Sequence, residues 1–439
     1  MNRIMKRTVV VLLLATMPCA LAGITQDGSL SSVVEEAVSE NLALKAARLR
    51  WESLQARPKI AGALPDPMLT YGYYFRNVET RVGPMHQKFV GSQKFPFPGK
   101  RALAATRAEK EATVAMWEYQ TQERSLILEV KLAYHELQQV AALRSIFHDE
   151  LQLLDAIQEV ARARYETGLG EQQELLKTSL AASEVQQRLL DLDRQERTAL
   201  ARLNALSGNA PQRAITVDQQ FERSPLPAEA KAIAVAEFYR QELQAAGVVT
   251  ERDELSLSLA EKNRWPDLSI GLEYIEVGDS IIPGSLDSGE DALMGFISFN
   301  LPIWRGKLRA EKIEAERRLA ASRETASDMR AEIIAEVNTA WFHARIREEQ
   351  IELYHSDLIP LAEQSLESAR AGYRAARVGF LDVLDSQRVL FSLRLGLVTA
   401  DTDFAKSLAR LERSVGVDLE RIPGLGIPDQ TAEAGENPE

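Results

Sequence analysis

The sequence predicts a mainly α-helical protein with a small β part, in which one structural unit occurs twice. Long stretches without Gly or Pro, such as Lys100–Thr167, mix charged and apolar residues and indicate long helices. Short segments in which apolar and polar residues alternate indicate a few strands. The same motifs recur in the same order in the second half of the chain, which indicates an internal twofold sequence repeat.

The N-terminal residues have the pattern of a secretory signal peptide. Three basic residues precede the apolar run Val9–Ala15, and Ala20–Ala22 gives the small-x-small pattern of a cleavage site. Because the apolar run is too short to span a membrane, we expect residues 1–22 to be removed on export. The only cysteine, Cys19, would be removed with them, so the mature chain would contain no disulfide.

The composition argues against several classes of function. The chain has 52 Lys and Arg against 64 Asp and Glu, a net charge of −12, which disfavours nucleic acid as a partner. The sequence contains neither a serine-hydrolase elbow nor a His-Glu-x-x-His motif, and its five histidines lack the spacing of metal ligands. We therefore expect no enzyme activity, no cofactor and no resident metal.

The two copies of the unit share landmarks. Gly99-Lys100 corresponds to Gly306-Lys307, and Tyr165 corresponds to Tyr373. Each copy reads helix, strand pair, long helix, turn and returning helix. The predicted parts are a first repeat at 23–208 (strands about 67–96, helical hairpin 98–208), a linker at 209–227, a second repeat at 228–416 (strands about 267–302, helical hairpin 305–416) and a disordered tail at 417–439.

The strand assignments differ in strength between the copies. Apolar residues occupy every second position from Leu268 to Tyr274, as in a strand with one apolar face. The first strand pair is rich in Tyr and Phe, but Lys88 and Lys94 interrupt its alternation. It is assigned by its correspondence to the second copy. In the helices, apolar residues recur every three or four positions, so the helices should pack as coiled coils.

Four short strands are too few to close a barrel, since small closed barrels need about eight. We therefore expect strands from several chains to combine, with their apolar face in lipid. The aromatic core of a soluble β-domain is the alternative. The residues expected at the membrane interface are Tyr71, Tyr73, Trp265, Trp304, Lys100 and Lys307.

A pair of carboxylates, Asp382 and Asp385, stands at the start of the last long helix. Residues three apart are neighbours on one helical face. If that face points at a symmetry axis, the carboxylates crowd a narrow passage and favour cations. Acidic residues also favour the first turn of any helix, where they offset the helix dipole. The spacing alone leaves both explanations open.

The motif GYRAARVGFLDVLDSQRVL (Gly372–Leu390) resembles the hairpin-tip signature of the TolC family of outer-membrane efflux channels, and Arg164–Leu180 is its weaker counterpart in the first copy. The resemblance covers nearly the whole mature chain. It implies a homotrimer in the outer membrane of a Gram-negative cell, with a closed 12-stranded transmembrane barrel and a coiled-coil helical barrel in the periplasm. It also implies passive exit of substrates, with a periplasmic adaptor and an inner-membrane pump of the RND type as partners.

The resemblance further implies roles at the hairpin tips. In the family, the acidic pair of this motif lines the periplasmic entrance, so Asp382 and Asp385 are the expected gate, helped by Glu174 at the matching place in the first copy. The expected tip contacts are Tyr165, Tyr373, Arg374 and Arg377, with simple solvation as the alternative for each.

Two further stretches bear on the substrate. PDPMLTYGY (Pro65–Tyr73) and FPFPGKR (Phe95–Arg101) are similar to the heavy-metal-exporting, CzcC/CusC-like branch of the family, which implies metal cations as substrates. The rival hypothesis is a periplasmic coiled-coil scaffold or adaptor without a pore, which explains the helices but leaves the strands without a purpose.

Overall fold

The computed structural model describes residues 28–168, 170–375 and 377–422. The predicted signal peptide and the part of the predicted tail beyond residue 422 lie outside these residues. The first copy comprises α1 (Leu30–Glu40), α2 (Leu42–Leu54), α3 (Arg57–Gly62), β1 (Met68–Thr80), β2 (Gly83–Phe95), α4 (Lys100–Glu166) and α5 (Gln172–Leu206). The second copy comprises α6 (Glu229–Tyr239), α7 (Gln241–Lys262), β3 (Leu268–Val277), β4 (Ala292–Phe299), α8 (Arg305–Leu353), α9 (Ile359–Arg374) and α10 (Phe380–Val415).

The longest helix, α4, has 67 residues and would extend roughly 100 Å at 1.5 Å per residue. It begins after Gly99, whose φ of 87° makes the bend out of β2. Two shorter helices pack along it in succession. Lys110 of α4 pairs with Glu251 of α7 at 2.6 Å near the strands, whereas Arg144 pairs with Asp193 of α5 at 2.9 Å further on.

The second copy repeats this arrangement. Helix α8 packs against α7 near the strands, where Arg323 pairs with Glu254 at 2.8 Å. It continues through a π-helical turn at Tyr354–Leu358 into α9, and α10 returns beside α9. None of the helices in the described part of the chain combines the length and the apolar composition needed to cross a membrane.

Two apolar clusters, one in each copy, lie near the middle of the long helices. The first contains Val130 and Ala133 of α4 packed with α1 and α5, and the second contains Val337 of α8 packed with α6 and α10. Residues just beyond α10 join the second cluster. There Leu419 and Ile422 are buried, around a short 3₁₀ turn at Leu419–Arg421.

The start of the predicted tail is therefore ordered, and the prediction of disorder is wrong for residues 417–422. Besides the buried apolar side chains, Asp418 pairs with Arg124 at 3.1 Å and with Lys131 at 3.8 Å. Burial of apolar area and these ion pairs offset the chain entropy that a free tail would keep.

The four strands form one antiparallel sheet in the order β1-β2-β3-β4. Their register aligns Tyr71, Phe89, Tyr274 and Leu293 in a row across all four strands. Leu69 and Leu272, two residues before Tyr71 and Tyr274 in their strands, lie on the same side of the sheet as this row. We call this side the apolar face of the sheet. Its side chains are largely exposed in the single chain.

The opposite side, which we call the polar face, carries the two lysines that interrupt the sequence pattern of β2. Lys88 lies 3.7 Å from Glu273, and Lys94 lies 3.1 Å from Asp267. Strand β2 therefore keeps the alternation of a strand, with its lysines on one side and Phe89 on the other. Strands β1 and β4 are the edges of the sheet in this chain.

Candidate functional site

The end of the molecule away from the sheet consists of two tight helical turns. In the first tip, between α4 and α5, the Gly170 N–H donates to the Arg164 carbonyl at 3.0 Å. In the second tip, between α9 and α10, the Arg377 N–H donates to the Gly372 carbonyl at 2.8 Å. A Cβ on Gly372 would lie 2.9 Å from a Val378 methyl group, so this turn closes tightly only over glycine.

Asp382 and Asp385 lie together at the start of α10, and both are exposed. The Gly379 N–H donates to Asp382 Oδ2 at 2.9 Å, so Asp382 caps the helix within the single chain. This bond occupies one of its four carboxylate lone-pair sites and leaves the charge facing solvent. The geometry thus fits both explanations of the pair: a helix cap, and an exposed anionic surface.

Tyr373 of α9 joins the second hairpin to the first. The Arg164 guanidinium lies 4.7 Å from the centre of its ring, and Phe380 packs edge-on with ring centres 5.9 Å apart. The Tyr373 hydroxyl and Glu174 Oε2 are buried, and neither has a hydrogen bond of normal geometry in the described residues. Burial and the nearby charge of Glu174 raise the pKa of Tyr373, and Arg164 opposes them.

The predicted tip residues therefore divide into two groups. Glu174 was expected to assist the exposed carboxylate pair, but its carboxylate is turned into the contact between the hairpins. Tyr165, Arg374 and Arg377 are exposed, and the Arg374 Nε donates only to the Arg370 carbonyl of its own helix, at 3.4 Å. Tyr373 is thus the one predicted tip contact that joins the hairpins within the described chain.

Sequence reasoning missed Arg164. The alignment of Tyr165 with Tyr373 sets Arg164 against Gly372, so a large cation in one copy replaces the glycine of the other. That difference between the copies was the available signal.

At the opposite end, where the strands meet the helices, Lys100 differs from its predicted role at lipid headgroups. Its side chain is only 12% exposed. Its ammonium group donates to Asp267 Oδ1 at 2.8 Å and to the Trp265 carbonyl at 2.9 Å. Lys100 therefore ties the start of α4 to the segment that enters β3.

The other residues predicted at the membrane interface lie at the surface of the single chain. Trp265 stacks on Phe97 with ring centres 5.4 Å apart and remains partly exposed. Tyr71, Tyr73 and Trp304 are exposed, and the Lys307 side chain is 72% exposed, 3.6 Å from Glu311. Across the described ranges, no three His, Cys, Asp or Glu side chains come together as a metal site.

A mainly helical chain with an exposed, apolar-faced sheet at one end and two helical tips at the other has the features of a helical protein that is anchored in a membrane by its strands. A family model specifies the class further. The chain belongs to the outer membrane efflux protein family, which matches residues 33–209 and 233–417. The recognition from the sequence is confirmed, and the protein is an outer-membrane protein with its helical part in the periplasm.

Solved structures share the fold. VceC of Vibrio cholerae is 21% identical, with a TM-score of 0.73 over 90% of this chain and 97% of that chain. The channel CusC is 17% identical, with a TM-score of 0.72 over 90% of this chain and 93% of its own. MtrE of Neisseria gonorrhoeae, in its open state, is 18% identical, with a TM-score of 0.71 over 89% of each chain.

These likenesses confirm the predicted fold class of a mainly helical chain with a small β part. The three TM-scores are nearly equal, so the fold alone does not single out CusC among these structures. A comparison with curated protein sequences finds no match.

Proposed function

We propose that three copies of this chain form the outer-membrane duct of a tripartite efflux system, gated at the periplasmic hairpin tips. The observation that carries the proposal is the sheet. Its apolar face is exposed, with Phe75 of β1 97% exposed, and the outer edges of its edge strands β1 and β4 have no partner strand within the described chain. Such a surface is stable in lipid only when every strand edge is paired.

The family resemblance implies three chains, and the width that a passage needs is compatible with this number. Two chains would supply eight strands, and a barrel of about eight strands is filled by its own side chains. Three chains would supply twelve strands, a wider barrel that leaves room for water. The polar face, with Lys88 and Glu273, would then line the passage.

The proposed partner proteins supply the energy that export through a passive duct needs. A duct allows movement in the direction that the gradient sets and does no work on its substrate. Export therefore requires an energised inner-membrane pump, proposed here to be of the RND type, and a periplasmic adaptor that connects the pump to the hairpin tips. Outer-membrane lipid would contact the apolar face of the sheet.

Asp382 and Asp385 of three chains would bring six carboxylates to one constriction. We expect replacement of both by Ala to raise single-channel conductance roughly twofold or more, because the smaller side chains widen the constriction, and to weaken cation preference, because the negative potential at the entrance is lost. Replacement of both by Asn separates charge from helix capping, since the Asn oxygen can still accept the Gly379 N–H. The measurement is conductance and ion selectivity of the purified protein in planar bilayers.

A matched control exists on α8. Glu349 and Glu352 are exposed and also three residues apart, so the change of both to Ala alters the net charge equally at another place. Unchanged conductance and selectivity in the Asp382/Asp385 variants would remove these residues from the gate. Failure of the wild-type protein to conduct would favour the scaffold without a pore.

We propose heavy-metal cations as the substrate class. The proposal is supported by the similarity of Pro65–Tyr73 and Phe95–Arg101 to the metal-exporting branch, and by the exposed carboxylates at the second tip, which favour cations. A strain that lacks the gene should lose tolerance to zinc or copper and keep its tolerance to hydrophobic drugs. Loss of drug tolerance alone would indicate that the protein belongs to the drug-exporting branch.

A further inference from the structure

A second contact between the hairpins lies on α10 just beyond Asp385. Gln387 of α10 donates its Nε2 hydrogen to Glu150 Oε2 of α4 at 2.7 Å. The two residues are only 3% and 7% exposed. The apolar cluster around them includes Phe147, Leu154 and Leu384, and the rings of Phe147 and Phe391 meet edge-on at 5.4 Å. A polar pair thus lies within the apolar contact between the two hairpins.

One atom of this pair lacks a partner. Gln387 Oε1 is buried and accepts no hydrogen bond from the described residues, and an unpaired buried acceptor costs about 1–3 kcal/mol. An ionised Glu150 can only accept, so it cannot satisfy this oxygen. A protonated Glu150 can donate its hydroxyl to Gln387 Oε1 while its other oxygen still accepts from Nε2. The pair would then have two hydrogen bonds in place of one.

The surroundings stabilise the protonated form of Glu150 relative to a glutamate in water. Burial raises the pKa of Glu150, while the hydrogen bond from Gln387 and the charges of Arg394 on α10 and Arg370 on α9 oppose this without cancelling it. Both arginines are engaged elsewhere, Arg394 with Glu363 and Arg370 with Glu367, each at 3.0 Å. The neighbours of Glu150 on α4, His148 and Asp149, are exposed.

We propose that Glu150 and Gln387 are positioning residues of the gate, and that a proton on Glu150 holds α10 against the first hairpin through a second hydrogen bond. This inference rests on the proposed function, because α10 carries Asp382 and Asp385. When the hairpins part, water reaches Glu150 and the extra hydrogen bond is lost.

The direction of the pH effect follows from this difference. The packed hairpins bind the proton more tightly than the parted ones, since the pKa of Glu150 is raised only while it is packed. Acid therefore favours the closed arrangement, and the tie weakens as the pH rises from the ordinary glutamate value through the raised one. One proton per chain changes the open-to-closed ratio by at most about tenfold per pH unit and chain.

The first test is the open probability of the purified protein in planar bilayers between about pH 5 and pH 8. In the wild type it should rise with pH. Glu150→Gln keeps the shape, stays neutral and should flatten this rise, with a low open probability throughout. Gln387→Leu should raise the open probability in acid. Glu159→Gln, an exposed position on the same helix, should behave as the wild type. A wild-type pH slope in Glu150→Gln would overturn the proposal.

A second readout does not depend on conduction. The infrared difference spectrum of wild type minus Glu150→Gln at the acid end of this pH range should show the C=O band of a protonated carboxyl, which should fade toward the alkaline end. Absence of this band in acid would refute the proton on Glu150 even in a conducting channel. If neither the wild type nor any variant conducts, the proposed function fails, and the gating role fails with it. If the channel conducts but the infrared band is absent, only the role of Glu150 fails.

Discussion

Tyr373 shows how a single side chain can hold two hairpins together. Its ring lies between Arg164 and Phe380, and a cation over an aromatic ring stabilises by roughly 0.5–2 kcal/mol. The buried hydroxyl adds no hydrogen bond of normal geometry. The ring contacts, more than the hydroxyl, should therefore stabilise the closed tips.

We accordingly predict different effects for two substitutions at this position. Tyr373→Ala should shift the tips toward the open state by about 1 kcal/mol per chain, roughly a fivefold change in the ratio of open to closed states. Tyr373→Phe keeps the ring and should stay near the wild type. Open probability in planar bilayers measures both, with the exposed Tyr165→Ala as the matched control in the first hairpin. Equal opening by the Ala and Phe variants would show that the hydroxyl holds the tip.

At the scale of residues, the sequence was informative about positions and less so about partners. Helical spacing places Asp382 and Asp385 on one exposed face. The partner of Glu174 could not be read in this way, because Tyr373 belongs to the other hairpin. Likewise, the charge of Lys100 suggested lipid headgroups, whereas its partner Asp267 reaches it only through the pairing of β2 with β3.

At the scale of elements, the helices were predictable wherever the sequence lacks Gly and Pro, and Gly99 marks the start of α4 through its positive φ. The helix of the second copy contains Pro360, yet it continues because a π-helical turn at Tyr354–Leu358 precedes that residue. Gly396 of α10 makes room there, since a Cβ on it would lie 2.5 Å from the Tyr354 hydroxyl oxygen.

The strands and the C-terminal segment show why the remaining elements were harder to predict. Lys88 interrupts the apolar alternation of β2, and the sequence does not reveal that Glu273 faces it from β3. The segment after α10 has a composition typical of disorder, but Leu419 and Ile422 find a buried site that α6, α8 and α10 build together. Tertiary contacts determine the structure of both segments, and such contacts cannot be read from the local composition.

At the scale of the whole molecule, the duplication accounts for the two similar hairpins and the two central clusters. The most informative contacts lie between the copies: Arg164 with Tyr373, Glu150 with Gln387, and Lys131 with Glu412. Contacts between copies are invisible to a pattern read along one segment. The exposed apolar face of the sheet belongs to the same scale, because only a membrane or further chains can cover it.

A lysine introduced on the apolar face of the sheet should have a different effect from a lysine introduced on the polar face. Leu272 lies near the middle of β3 on the apolar face, and Met294 of β4, paired in register with Glu273, lies at the same depth on the polar face. If lipid covers the apolar face, Leu272→Lys should cost about 2–4 kcal/mol near the bilayer midplane. The substitution should reduce the amount of oligomer in the outer-membrane fraction, measured on gels as the band that is present before heating and lost after it. Met294→Lys places its ammonium group toward Glu273 and should assemble normally. Equal recovery of both variants on unheated gels would contradict the assignment of the apolar face to lipid.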